Sequence, residues 1–338
     1  MNLSERLNAL AQLGEHLLQK DEYLEAVMHR THYNNAWLTI ENQQRAVQAI
    51  AEQFLQKEKL EKWVAAYDLP TSTSPKTVGL VMAGNIPLVG FHDLLCVFVA
   101  GHRALVKLSE KDRFLLPYLL KLLAKADART EAYFEITERL QDFDAVIATG
   151  SNNSARYFES YFGKVPNIIR KNRNAVAVLD GSESGDDFQA LGKDIFRYFG
   201  LGCRNVSKLY LPVGFDFQLL LEKLHDYKEI VMHHKYKNNF DYNLAMLMMN
   251  RTVYWNNGCV ILTEHESIAS RIALVHYEYY SDKESLTEKL MAKKKEIQCI
   301  VTNQQLAGFE TVAFGKAQEP ALDDYADGVD TMVFLKNL

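Results

Sequence analysis

The chain has 338 residues, 48% hydrophobic and 24% charged, and 38 Lys and Arg against 43 Asp and Glu give a net charge of −5. This is apolar material for one large domain or two moderate ones, which excludes a disordered chain. The acidic balance argues against nucleic acid or an anionic membrane surface as the main partner.

Residues 1–69 read as helical. Leu3, Leu7, Leu10, Leu13 and Leu17 are spaced by 4, 3, 3 and 4, which draws one apolar stripe, and Asn2 with Glu5 makes a capping box at its start. A second periodic stretch spans 39–69 through Ile50, Phe54, Leu60, Trp63 and Val64. Residues 70–75 are a polar, proline-bounded linker. Short apolar runs then alternate with helical patterns: strands at 78–83, 104–108, 145–148 and 174–179, helices at 88–99 and 114–126. The alternation predicts an α/β fold with a parallel sheet and helices on its faces. Polar breakpoints follow three of these strands, where open α/β sheets bind ligands. Further on, 188–199 and 216–225 read as helices, 208–211 as a strand, and the apolar runs 243–249, 260–262 and 298–301 as more strands.

The most apolar run, 94–101, has 8 residues against the roughly 20 of a membrane span, and the N-terminus lacks the apolar core of a signal peptide. The four cysteines are far apart with no C-x-x-C pair, so neither a metal site nor a disulfide framework is expected. The expected setting is cytoplasmic, with reduced thiols.

G-x-G-x-x-G, the P-loop, H-E-x-x-H and G-x-S-x-G are all missing from the sequence, which disfavours a simple dehydrogenase, kinase, zincin or serine hydrolase. The strongest local signal is Phe199-Gly200-Leu201-Gly202-Cys203-Arg204-Asn205: a cysteine in a Gly-rich loop after an amphipathic helix, with a cation beside it. A buried structural cysteine is the equal alternative, and Cys96, Cys259 and Cys299 read as small core residues. Asn85, at the strand–helix breakpoint in 82–88, can aim its amide at a developing oxyanion or cap a turn. Lys107 and Glu110 of Lys107-Leu108-Ser109-Glu110 can bond ribose hydroxyls or form a solvated turn. Gly150 and Ser151 open a helix start that can donate to a pyrophosphate or be an ordinary cap. His233 and His234 stand in a polar run, as a general acid/base or as part of a solvated basic loop.

The order of these signals carries more than any one of them. N-I-P-L, K-L-S-E, T-G-S and G-x-G-C resemble the ordered motifs of the aldehyde dehydrogenase superfamily, with 22, 43 and 53 residues separating Asn85, Lys107, Gly150 and Cys203. M-A-G-N-I-P-L-V-G, A-T-G-S-N-N-S-A-R-Y-F, F-G-L-G-C-R-N-V-S-K-L-Y and D-Y-A-D-G-V-D-T resemble more specifically the fatty-acyl-CoA reductase family related to the luminescence reductase. The likeness spans most of the chain and is clearest from Val78 onward.

The resemblance implies a Rossmann-type cofactor domain at 76–185 and an α/β catalytic domain at 186–310. A helical segment precedes them at 1–69, and 311–338 returns to the cofactor domain or forms an oligomer interface. It implies Cys203 as nucleophile, with Asn85 and the Cys203 N–H as oxyanion donors and His234 or His233 as general acid/base. Lys107, Ser109 and Glu110 would meet a ribose, and Gly150 and Ser151 a pyrophosphate. The implied cofactor is NADPH or NADH and the implied substrate a coenzyme A thioester; Glu110 favours NADH by charge and Lys107 blurs that choice. The superfamily is usually dimeric or tetrameric, often through a terminal strand, and 331–335 reads as such a strand or an intramolecular one.

One departure stands out. The glutamate that activates water in typical aldehyde dehydrogenases has no counterpart in Ile168-Ile169-Arg170-Lys171-Asn172-Arg173-Asn174. That fits a reductase that must keep water from its thioester, and Arg170, Lys171 and Arg173 are a candidate patch for coenzyme A phosphates. The expected function is an acyl-CoA reductase forming a fatty aldehyde. The alternatives are a CoA-dependent aldehyde dehydrogenase and a non-catalytic acyl-CoA- or nucleotide-binding relative.

Overall fold

A computed structural model describes residues 1–69 and 74–338, so residues 70–73 of the expected linker lie outside the described residues. The chain divides into two compact units, Met1–Asn172 with Pro320–Leu338, and Arg173–Glu319.

The first unit opens with helices α1 (Leu3–Leu17), α2 (Glu22–Asn34), α3 (Ile40–Ala49) and α4 (Lys57–Val64). The expected capping box forms: Glu5 N–H donates to Asn2 Oδ1 at 2.9 Å and Asn2 N–H to Glu5 Oε2 at 2.7 Å. Leu7, Leu10, Leu13 and Leu17 are buried along one stripe. Strand and helix then alternate through β1 (Thr77–Val81), α5 (Phe91–Ala100), β2 (Arg103–Lys107), α6 (Leu115–Ala126), β3 (Phe134–Ile136), β4 (Ala145–Thr149), α7 (Asn152–Phe162) and β5 (Asn167–Arg170). The sheet runs β3-β2-β1-β4-β5 and every pairing is parallel.

The second unit contains β6 (Asn174–Val178), α8 (Gly185–Phe196), β7 (Val206–Pro212), α9 (Gln218–Leu224), α10 (His234–Met249), β8 (Tyr254–Asn256), β9 (Ile261–Glu264), β10 (Leu274–Tyr280), α11 (Lys283–Ala292), β11 (Ile297–Val301) and β12 (Thr311–Val312). Its sheet runs β12-β11-β6-β7-β10-β9-β8, parallel except for the antiparallel edge pair β8–β9. Pro320–Leu338 belongs to the first unit again and ends in α12 (Thr331–Lys336).

Helix α5 is the centre of the first unit. Phe91 and Leu94 through Val99 are all buried. From Leu94 to Val99 the helix is apolar all round and must be enclosed, and β1, β2, α1 and α12 pack against it. Arg170, 3% exposed at the end of β5, binds this helix to the C-terminal segment. Its guanidinium donates to Asp93 Oδ1 at 2.5 Å, to Thr331 Oγ1 at 3.0 Å and to the Ala326 carbonyl at 2.6 Å. The D-Y-A-D-G-V-D-T stretch supplies two of those acceptors. It also supplies Tyr325, whose hydroxyl takes the Trp63 indole N–H at 2.9 Å and lies 2.7 Å from the Tyr67 hydroxyl. Within this unit the motif is therefore a packing and hydrogen-bonding device.

Four expectations change. Strand 174–179 joins the second sheet, because β6 pairs with β7 on one side and β11 on the other; apolar parallel strands look alike in sequence, whichever sheet they enter. Residues 331–335 form a helix: Asp330 caps it, and Thr331, Met332 and Leu335 are buried at helical spacing while Val333 is exposed. Residues 243–249 complete α10, where Tyr236, Phe240 and Asn243 are buried at i, i+4 and i+7; a run rich in Leu, Met and Ala prefers helix. The basic cluster is not a patch: Arg170 is buried in its ion pair, Lys171 pairs with Glu159 at 2.8 Å, and Arg173 reaches the Ile297 carbonyl.

Removing one member of a buried ion pair strands the other charge and costs about 3–5 kcal/mol. Arg170→Ala is expected to lose stability on that scale in urea denaturation. A loss below about 1 kcal/mol would show that Asp93 finds water instead.

Candidate active site

In the first unit the candidate residues leave the C-terminal ends of three neighbouring strands. Asn85 follows β1, Lys107 ends β2 with Ser109 and Glu110 after it, and Gly150 and Ser151 follow β4. Connections run from β1 to β2 on one side and on to β4 on the other, so the sheet's switch point lies between β1 and β4. Open parallel sheets bind dinucleotides at this edge. Lys107 and Glu110 are exposed, Asn85 and Ser109 half-buried. Ser151 is the N-cap of α7, accepting the Ser154 N–H at 3.2 Å. Exposed cationic and carboxylate side chains beside a helix start suit the hydroxyls and phosphates of a nucleotide cofactor.

The loop carrying Asn85 is braced from behind. Leu88, at φ 56°, donates its N–H to Asp112 Oδ2 at 2.7 Å. Gly84 lies so close to the Ser109 loop that a Cβ would stand 2.5 Å from Ser109 Oγ. Asn34 and Asn35, at the end of α2, donate to the Glu110 and Lys111 carbonyls at 3.0 and 3.3 Å. Asp112 was not singled out by the sequence, although it stands two residues beyond Glu110. Its second oxygen is buried without a hydrogen-bond partner, and burial pushes its carboxyl from the ordinary 3.8 up to about 6.

In the second unit Cys203 sits between α8 and β7, half-buried. Cys96 and Cys259 are buried, and burial pushes both thiols up, Cys259 to about 12. The backbone before Cys203 turns left-handed: Tyr198 at φ 52°, Phe199 at φ 58° and Gly200 at φ 75°. Gly200 adopts this freely, whereas each of the other two costs about 1–2 kcal/mol. Phe199 lays its ring 4.4 Å from the His233 ring and 6.2 Å from Tyr236.

Asn205, 1% exposed, ties this segment together. Its Oδ1 accepts the Gly202 N–H at 2.8 Å. Its Nδ2 faces the carbonyls of Asp194, Ile195 and Arg197 at 2.9, 3.3 and 2.8 Å. Below it the Asp194 carboxylate, also raised to about 6 by burial, accepts the N–H groups of Gly315 and Ala317 at 2.6 and 3.0 Å. Neither Asn205 nor Asp194 drew a role from sequence. Of the two histidines, His233 caps α10 with Nδ1 accepting the Tyr236 N–H and meets the turn before Cys203, while His234 is exposed at the first position of α10.

The buried carboxyl of Asp112 has a measurable consequence. Its folded value lies above the unfolded one, so its contribution to stability is full below about pH 4 and lost as pH rises through about 6. A rise of this size corresponds to about 3 kcal/mol. Denaturation at about pH 4 and about pH 8 should show the parent losing that much relative to Asp112→Asn, which keeps an acceptor for Leu88. A difference that stays flat with pH would show that Asp112 titrates normally.

No protein-family model and no curated protein matches the chain. Solved structures do. Aldehyde dehydrogenase 21 from Physcomitrella patens, in complex with the reaction product succinate, is 14% identical, with 100% of this chain and 84% of that chain covered at a TM-score of 0.71. An oxidoreductase from Marinobacter aquaeolei is 12% identical, covering 95% and 79% at 0.70. An NAD-dependent aldehyde dehydrogenase from Sinorhizobium meliloti is 12% identical, covering 89% and 70% at 0.67. The chain has the α/β fold of the aldehyde dehydrogenases, and its N-terminal residues are helical.

Proposed function

We propose that this chain is an NAD(P)H-dependent acyl-CoA reductase that forms an aldehyde through an acyl-enzyme on Cys203. The observation that carries the reading is the setting of Cys203, half-buried on a braced and strained turn; Cys96 and Cys259 are buried thiols pushed far from ionisation, and Cys299, expected in the core, is also half-buried but lies within strand β11. Strain held in place by surrounding structure clusters at functional sites.

The thiolate of Cys203 attacks the thioester carbonyl carbon, a new C–S bond forms, and the bond to coenzyme A breaks. Coenzyme A leaves as its thiolate and takes up a proton. Asn85 and the Cys203 N–H are the proposed donors to the oxyanion. A reduced nicotinamide, when bound, supplies the hydride that brings the acyl carbon to the aldehyde level. Lys107, Ser109 and Glu110 are proposed to hold its ribose, and Gly150 and Ser151 its pyrophosphate. Release of the aldehyde returns Cys203 as a thiol, with His233 or His234 as the proposed proton carrier; His233 is favoured by its contact with Phe199.

The reductive direction is supported by residues 168–174, which carry no carboxylate to activate water; Arg170 there is committed to Asp93. A second reading is CoA-dependent oxidation of an aldehyde; the names of two solved neighbours favour aldehyde oxidation as such. It uses the same residues in reverse.

Intact-protein mass spectrometry with medium- and long-chain acyl-CoA, without cofactor, should show one acyl adduct that maps to Cys203 and disappears when NADH or NADPH is added. Absence of an adduct, with turnover of aldehyde, NAD and free coenzyme A, would select the oxidative reading. Absence of both would point to a non-catalytic binder. Cys203→Ala should abolish turnover while cofactor still binds, and Asn85→Ala should slow it by about 100–1,000-fold.

A further inference from the structure

We infer that Asn205 is the positioning residue of the nucleophile loop, holding the left-handed turn before Cys203 closed; the inference rests on the reading of Cys203 as nucleophile. The last carbonyls of α8 have no partners within the helix. The Asn205 amide faces three carbonyls at this helix end, and its oxygen takes the N–H of Gly202, the residue just before Cys203. One side chain therefore closes the segment from Arg197 to Gly202, and Tyr198, Phe199 and Gly200 all lie inside it.

The chemistry of the site is specific for an amide. Aspartate keeps an acceptor for Gly202 but sets a negative charge against the carbonyls. Leucine has neither function. Glutamine is one methylene longer, too long for a fully buried slot. Asn205 also donates its own N–H to the Gly202 carbonyl at 3.1 Å, and its carbonyl accepts the Ala175 N–H at 3.1 Å, so its backbone is anchored to β6 while its side chain holds the turn. Released from this hold, Tyr198 and Phe199 gain by relaxing to negative φ, and the Gly202–Cys203 peptide moves with them.

A misplacement of about 1 Å at a reacting atom costs about 100-fold. In the full-length chain, Asn205→Asp is expected to lower the maximal rate of single-turnover acylation of Cys203 by a long-chain acyl-CoA by about 10–100-fold. The half-saturating concentration should stay unchanged. Lowering the pH protonates the introduced carboxyl and restores a donor, so the ratio of variant to parent rate should climb back as pH falls from about 8 to about 5.5. Asp194, Arg197, Arg204 and Glu319 at this helix end, and His233 and Tyr236 against Phe199, face the turn in both proteins. Asn205→Leu, which adds no titratable group, measured over the same pH range gives the part of the response that belongs to them, and only Asn205→Asp should recover as pH falls. Tyr198→Gly added to Asn205→Asp lowers the cost of the left-handed turn and should recover part of the lost rate.

Alkylation of Cys299 by iodoacetamide, read in the same samples, reports on the fold and should match the parent. Equal acylation rates for parent and Asn205→Asp across pH would overturn the inference. So would a loss that neither low pH nor Tyr198→Gly relieves. If the parent itself forms no adduct at Cys203, the nucleophile reading fails, and this inference with it.

Discussion

A backbone that turns left-handed for three residues is the constraint on which the second unit's site depends. L-residues avoid this conformation, and two of the three here, Tyr198 and Phe199, have no glycine's freedom. The turn exists because neighbours over-determine it. Asn205 spans it, Phe199 packs against His233 and Tyr236 at the start of α10, and Asp194 ties α8 to Gly315 and Ala317. The result is a cysteine that follows a backbone segment held in one conformation, as the proposed nucleophile role requires. Such preorganisation is what a thiol nucleophile needs, because the reacting atoms must meet within a narrow range of angle and distance.

The first unit applies the same principle with different atoms. Its loop is bent by Leu88 at positive φ and held by one oxygen of a buried aspartate. Both units thus place a carboxyl with a raised pKa behind a loop, Asp112 in one and Asp194 in the other. Asp112 accepts one backbone N–H, from Leu88, and Asp194 accepts two, from Gly315 and Ala317. Burial makes these acceptors costly to ionise, so they are structural elements whose strength depends on pH.

Much of this was legible in the sequence, and what was not had a physical reason. The capping box of α1 and the apolar strands β1, β2 and β4 read directly, because capping and burial act over a few neighbouring residues. The loops that carry Asn85, Ser109 and Ser151 could be placed because they follow strands. Which sheet β6 joins could not be read, since pairing is decided by partners distant in sequence. Residues 331–335 misled because β-branched and aromatic residues there suggested a strand, while Asp330 and the packing of Met332 and Leu335 produce a helix. Asp112, Asp194 and Asn205 were silent for a different reason. A side chain that holds a loop from behind has no spacing rule; its role is set by the carbonyls and N–H groups that the fold brings to it.

The route of the chain adds a consequence in time. The guanidinium of Arg170 and the apolar sides of α5 are synthesised before residues 173–319, yet Ala326, Thr331, Tyr325 and α12 come after them. During translation the second unit's sequence is therefore complete while the first still has a charged group and a hydrophobic helix awaiting cover. A nascent chain stalled near residue 320 exposes what chaperones bind. All residues of the second unit are thus made before the segment that completes the first.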